Sequence, residues 1–157
     1  MTGLSKLGIV LLFVFMAGIG FSQDLEYKDG NYYKKGMLYS GTHTEYYENG
    51  NPKIERNILN GVEHGLVIHY YENGNKQEQR SYVEGKKDGI WINWNEKGLK
   101  TAEANYKSDA KDGDWYIWSD KGVLMYEMHY KIGTKVGIWT MYNEEGELIS
   151  KRSYDED

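Results

Sequence analysis

From Leu25 onward apolar and polar residues alternate in short runs, as in GIWINW at 89–94, TAEANY at 101–106 and DWYIW at 114–118. The runs are six or seven residues long, rich in Ile, Tyr, Trp and Thr, and end in clusters of Gly with Asn or Asp. Runs this short with a period of two predict β-strands rather than helices. The punctuation is periodic as well. Gly50, Gly74, Gly98, Gly122 and Gly146 stand 24 residues apart, and so do Gly41, Gly65, Gly89, Gly113 and Gly137. A third ladder, Gly61, Gly85 and Gly133, is interrupted only by Asp109. A fixed period of this length is the mark of a repeat architecture. Four positions before the first set of glycines stand Tyr46, Tyr70, Trp94, Trp118 and Tyr142; two before it stand Glu48, Glu72, Glu96, Asp120 and Glu144; eight after it stand Ile58, Tyr82, Tyr106, Tyr130 and Tyr154. Each unit reads as a β-hairpin. The expected fold is all-β, an elongated single-sheet array of antiparallel hairpins with a 24-residue repeat.

The turn at the first glycines is specified by what precedes them: Glu-Asn-Gly twice, then Glu-Lys-Gly, Asp-Lys-Gly and Glu-Glu-Gly. A two-residue type I′ turn would demand positive φ at Lys97, Lys121 or Glu145, whereas a three-residue loop, type I followed by a left-handed glycine in a G1 bulge, demands it only of the glycine. The three-residue loop is therefore expected, and it sets the register. In that register Ile90, Ile92 and Trp94 lie beside Ala102, Ala104 and Tyr106, and Tyr116 and Trp118 beside Leu124, Tyr126, Met128 and Tyr130. This is the expected core face. The other face carries Gln77, Gln79, Ser81, Thr101, Glu103, Asn105, Glu127 and His129, with Trp91, Trp115 and Trp139 standing among them. A shift of one residue inverts the assignment and returns the three tryptophans to the core.

The start of the chain departs from this pattern. Lys6 precedes an apolar run of 15 residues, Leu7 to Phe21, closed by Gly20-Phe21-Ser22. A basic start, an apolar stretch of this length and small residues before Gln23 describe a secretory signal peptide over residues 1–22, with cleavage before Gln23. The alternative, an N-terminal membrane anchor, calls for a longer run. Residues 23–41 read as a variant N-terminal capping hairpin, and 42–157 as the repeat array. The export expected from the leader is to the periplasm, cell surface or medium. The chain has no cysteine, so no disulfide staples an exported fold, and stability rests on stacking of units. Loss of residues 1–22 removes one lysine and no acid, taking the net charge from −5 to −6. That balance argues against nucleic acid and against anionic membrane as partners. A single-layer sheet of this size is thinly stabilised, and calls for a partner, a curl on itself or a second copy in a homo-oligomer.

Tyr-Tyr-Glu-Asn-Gly, followed by Gly89-Ile90-Trp91, Gly113-Asp114-Trp115 and Gly137-Ile138-Trp139, resembles the MORN repeat, in particular the bacterial variant found in YwqK-family antitoxins. The resemblance runs from about Tyr46 to Tyr154 and implies protein or lipid binding and scaffolding, or neutralisation of a partner toxin. The chain departs from the pattern at His43 and Val67, which occupy the tryptophan column, and at Asp109.

No group of acids, bases and nucleophiles converges in the sequence, so no catalytic residue is expected and the chain reads as a non-enzyme with no cofactor. His43, His64, His69 and His129 lack the spacing of a zinc site. The Asp-Gly pairs at Asp29, Asp88 and Asp112 lack the spacing of calcium loops and read as turn chemistry. The candidate binding residues are Trp91, Trp115 and Trp139, since exposed tryptophans concentrate binding energy. Two classes of partner fit such a row: another protein, or a cell-envelope glycan stacking on the rings.

Overall fold

The computed structural model describes residues 25–154. The expected signal peptide and cleavage point, and the acidic end at 155–157, lie outside the described residues. The described chain is all-β. Three short strands, β1 (Glu26–Lys28), β2 (Asn31–Lys34) and β3 (Met37–Leu38), form a small antiparallel sheet in the order β1-β2-β3. The array itself is one antiparallel sheet of 12 strands. Its strands are β4 (Gly41–Tyr46), β5 (Pro52–Leu59), β6 (Val62–Tyr70), β7 (Lys76–Val83), β8 (Lys86–Lys87), β9 (Gly89–Trp94), β10 (Lys100–Lys107), β11 (Ala110–Lys111), β12 (Gly113–Trp118), β13 (Leu124–Lys131), β14 (Thr134–Tyr142) and β15 (Leu148–Ser153). The long strands lie side by side in chain order, each paired with the next, so every unit contacts only its neighbours.

Two turn types alternate along the two rims. On one rim the three-residue loop is present as expected. In the unit of Trp94 the Asn95 and Leu99 positions close the hairpin, with Asn95 N–H to Leu99 C=O at 2.9 Å and Gly98 N–H to Asn95 C=O at 2.9 Å. Gly98 takes φ +80°, the left-handed conformation a G1 bulge requires. On the other rim the turns have two residues with positive φ, Asn60-Gly61, Glu84-Gly85, Ser108-Asp109 and Ile132-Gly133, which is the type I′ hairpin. These turns also tie unit to unit. The N–H groups of Gly61, Gly85, Asp109 and Gly133 donate to the carbonyls of Tyr39, Glu63, Lys87 and Lys111, at 2.7–2.9 Å. Asp109 therefore keeps the backbone role of the glycine it replaces, and its carboxylate accepts the Lys87 N–H at 2.9 Å.

The expected faces are inverted, although the loop was correct. Trp94 pairs with Lys100 as the three-residue loop dictates, but Asn93 then pairs with Ala102, leaving Thr101 as an extra residue. From there Ile92 faces Glu103, Trp91 faces Ala104 and Ile90 faces Asn105. The same slip recurs at the same place in every unit, with Lys53, Gln77, Met125 and Ile149 as the extra residues. Each is a β-bulge, and one extra residue turns the rest of the strand over. Trp118 still pairs with Leu124, whereas Tyr116 faces Glu127 and Tyr126, Met128 and Tyr130 line up with Ile117, Trp115 and Gly113. Trp91, Trp115 and Trp139 thus share a face with the tyrosine column and with Ala102, Ala104 and Met128. Ile90 and Ile92 join Gln79, Glu103 and Asn105 on the other.

With one layer, little is sequestered. Ile54, Ile58 and Val67 are the buried hydrophobic residues among those described, and all stand on the tryptophan face. The small N-terminal sheet leans on this end of the array. Tyr32 N–H donates to Gly61 C=O at 2.8 Å, its hydroxyl reaches Glu63 at 3.4 Å, and the Arg56 guanidinium lies 5.9 Å from its ring centre. Burial, and then the Glu63 charge, raise the Tyr32 pKa. Over β9–β15 no other element among the described residues is paired across the same face.

Candidate functional site

The site is built by a four-residue device repeated down the sheet. Gly65, Gly89, Gly113 and Gly137 all have positive φ, and at Gly113 an added Cβ would stand 3.1 Å from Asn105 Cβ. Only glycine combines that backbone with so close an approach of the neighbouring strand. Two residues on, the indole N–H meets a carbonyl of that strand: Trp91 to Ser81, Trp115 to Asn105 and Trp139 to His129, at 3.0, 3.0 and 3.1 Å. Each indole is thereby locked at one end to the sheet. Its ring falls between two tyrosines.

The result is an unbroken stack, Tyr82, Trp91, Tyr106, Trp115, Tyr130, Trp139 and Tyr154, with successive ring centres 5.5, 4.9, 5.2, 5.3, 5.1 and 4.7 Å apart. Interplanar angles of 51–63° make these tilted to edge-on contacts, the geometry aromatic quadrupoles favour. The rings are half-buried. Burial raises the pKa of Tyr106, and burial followed by the Glu63 charge raises that of Tyr82. In the earlier units the column holds Val67 and His43, and the stack does not extend there.

Sequence reasoning brought forward the three tryptophans, and the structure joins them through the tyrosines. It missed the cations. Lys87 Nζ lies 4.7 Å from the Trp91 ring centre, Lys111 Nζ 4.2 Å from Trp115 and Lys135 Nζ 4.5 Å from Trp139. Each also reaches a neighbouring tyrosine, at 5.1, 4.7 and 5.1 Å. Arg80 and Arg152 stand over Trp91 and Tyr154 at 5.1 and 5.0 Å. The signal was available in the sequence, since Lys87, Lys111 and Lys135 recur every 24 residues, four before each tryptophan. Arg80 pairs with Glu78, whereas among the described residues no carboxylate lies within ion-pair distance of the three lysines.

The remaining candidates serve the rims. Asp88 and Asp112 accept the N–H groups of Ser108 and Ile132 in the next turn, at 3.2 and 2.9 Å, and Asp29 opens a turn with Gly30. Hydrogen bonds from Lys107 and from the Ser108 N–H hold the Asp88 pKa below the usual carboxylate value. Glu48, Glu72, Glu96, Asp120 and Glu144 form an exposed row on the loop rim. Their backbones join the loops: Asn49 and Asn51 amides donate to Glu72 C=O, and Asn73 and Asn75 to Glu96 C=O, at 2.8–3.0 Å. The histidines stay apart, and no group of three potential metal ligands occurs among the described residues.

The MORN repeat variant family matches the chain at residues 39–60, 63–84, 111–131 and 135–156, together more than half of its length. No curated protein matches it significantly. The stretch between the second and third matches carries Lys87, Trp91 and Tyr106 in the same pairings as its neighbours, so it is a further unit of the same kind. Repeat, turn and ladder agree, and the chain belongs to the MORN repeat variant family.

Proposed function

We propose that this chain is an exported, non-enzymatic binding protein that engages another protein through the tyrosine–tryptophan face of β9–β15. The observation that carries the reading is the seven-ring stack. It spans one side of a single-layer sheet, is half-buried for want of a second layer, and is bordered by cations. Rigid tryptophan and tyrosine anchors with arginine beside them are the composition of protein-binding hot spots. Repeat modules of this family are used in protein or membrane binding, which fits a surface built by repetition. A neutral glycan is less well matched, because stacking a sugar needs an open ring face and here the lysines occupy those positions. An antitoxin is the special case in which the partner is a toxin.

A photo-crosslinking residue at Ala104, on the ladder face, should capture a protein partner in the producing cells, while the same residue at Glu103, one position earlier and on the opposite face, should not. Capture from Glu103 alone, or from neither position, overturns the proposal. Retention on cell-wall glycan that Trp115→Ala abolishes would transfer the surface to the carbohydrate reading.

A further inference from the structure

We infer that the lysine row is a ruler for an extended acidic peptide carrying a carboxylate at every third residue. The inference rests on the ladder face being the protein-binding surface and adds the chemistry of the partner.

The charge argument is local. The whole chain carries a net charge of −5. On the ladder face of β9–β15 the pairings place no acid, and Glu78 of the neighbouring β7, opposite Asn93 on the same face, is ion-paired with Arg80. The acids of these strands, Glu103, Asp114 and Glu127, face the other way. Lys87, Lys111 and Lys135 are held above the rings without a carboxylate partner, so a basic stripe crosses an acidic protein. Complementary charge selects acidic partners and speeds their arrival.

The spacing argument narrows the partner. Successive lysines are separated by one hairpin, which is two strand spacings or about 9.4–9.8 Å across the sheet. A polyproline II chain has three residues per turn and advances about 9.3 Å per turn. Every third side chain then falls on one side at nearly the lysine spacing. Tyrosine and tryptophan, which stand between the lysines, are the residue types that line polyproline-docking sites. An anionic bilayer fits less well: a flat membrane laid on this face would also approach the acidic loop rim of Glu72, Glu96, Asp120 and Glu144, and would be repelled by it.

The test uses the full chain and two synthetic peptides of the same composition, one of repeated Glu-Pro-Pro and one with its glutamates in a single block. Binding is followed by tryptophan fluorescence and by calorimetry. The periodic peptide should bind about tenfold tighter than the block peptide, the difference a few well-placed exposed ion pairs supply. Added salt should weaken it. Lys87→Gln, Lys111→Gln and Lys135→Gln combined should remove the preference while circular dichroism of the sheet stays unchanged; if that variant misfolds, the peptide comparison on the native chain still decides. Equal affinity for the two peptides overturns the ruler. So does binding to vesicles of anionic phospholipid with neither peptide bound, which would assign the surface to a membrane. Failure of both peptides while Ala104 still captures a protein would remove the acidic chemistry and leave the binding face standing.

Discussion

Glycines that look equivalent in the sequence carry different burdens. Gly122 has φ +81° with nothing within 4 Å of an added Cβ, whereas Gly113 combines φ +101° with Asn105 Cβ at 3.1 Å. Gly122→Ala should therefore cost about 1 kcal/mol, the left-handed penalty alone. Gly113→Ala should cost more, about 2–3 kcal/mol, and should also loosen Trp115, whose indole N–H reaches Asn105 C=O from this strand. Urea unfolding of the two variants checks the order. Ile132 offers the reverse case, a β-branched residue at φ +45° with its side chain in solvent. Ile132→Asn keeps the backbone N–H bond to Asp112 and should raise stability by about 1 kcal/mol, read as a higher urea midpoint. His69 supplies a pH dependence. Burial holds its pKa below the ordinary value, against an upward pull from Glu78. The unfolded chain takes up this proton near pH of about 6.5, so the unfolded state binds more protons just below that point. The stability linked to His69 is complete above this pH and is lost as the pH falls from there toward the folded value. In His69→Gln the drop in Tm between neutral and mildly acidic buffer should be smaller than in the native chain.

At the level of the hairpin, one extra residue decides which face the aromatic rings occupy. Were Thr101 paired opposite Asn93 rather than bulged out, Tyr106 would turn to the side opposite Trp91, and the stack would break at both of its contacts, 4.9 Å to Trp91 and 5.2 Å to Trp115. Each such pair contributes about 0.5–1.5 kcal/mol beyond area burial. Deletion of Thr101 alone leaves Asn93–Ala102 and Trp91–Ala104 paired as before, so it should destabilise the chain far less than deletion of Thr101 and Ala102 together, which turns Tyr106 over. Thermal unfolding followed by tryptophan emission separates the two. The hairpins, their 24-residue period, the three-residue loops and the three tryptophans were legible because each is written in residue type: glycine where φ is positive, aromatic where rings stack. The bulge was not. Its extra position holds Lys53, Gln77, Thr101, Met125 and Ile149, which share no chemistry, because none of the five takes the positive φ that would select glycine. Reading the loop correctly and counting on from it therefore put every later side chain on the wrong face. The lysine row was written as plainly as the tryptophans. Its placement over the tryptophan rings is what the inverted register hid.

Across the whole molecule, the pattern of contacts makes stability a sum over units and their shared borders. Long strands pair only with chain neighbours, and from β7 onward each border between units repeats the same bonds: an indole to the preceding strand, a turn N–H to the preceding turn, and a ring on each side. Such a chain should tolerate removal of a unit cut in phase. Deleting residues 87–110 joins Lys86 to Lys111, so Lys111 takes the place of Lys87, Gly113 that of Gly89 and Trp115 that of Trp91. The Trp115 indole then meets Ser81 C=O in place of Asn105 C=O, and Tyr82 takes the place of Tyr106 beside it. The shortened chain should fold with the same circular dichroism shape, unfold cooperatively at lower urea, and show an m-value smaller by roughly a fifth, in line with the surface it no longer buries. It should also prefer a periodic acidic peptide shorter by one turn, since two lysines remain where there were three. A deletion longer by four residues, 87–114, joins Lys86 to Trp115 and puts that tryptophan in the place of Lys87, and should fail to fold. If both deletions fail alike, the borders are not interchangeable and the sheet is held as a single closed unit.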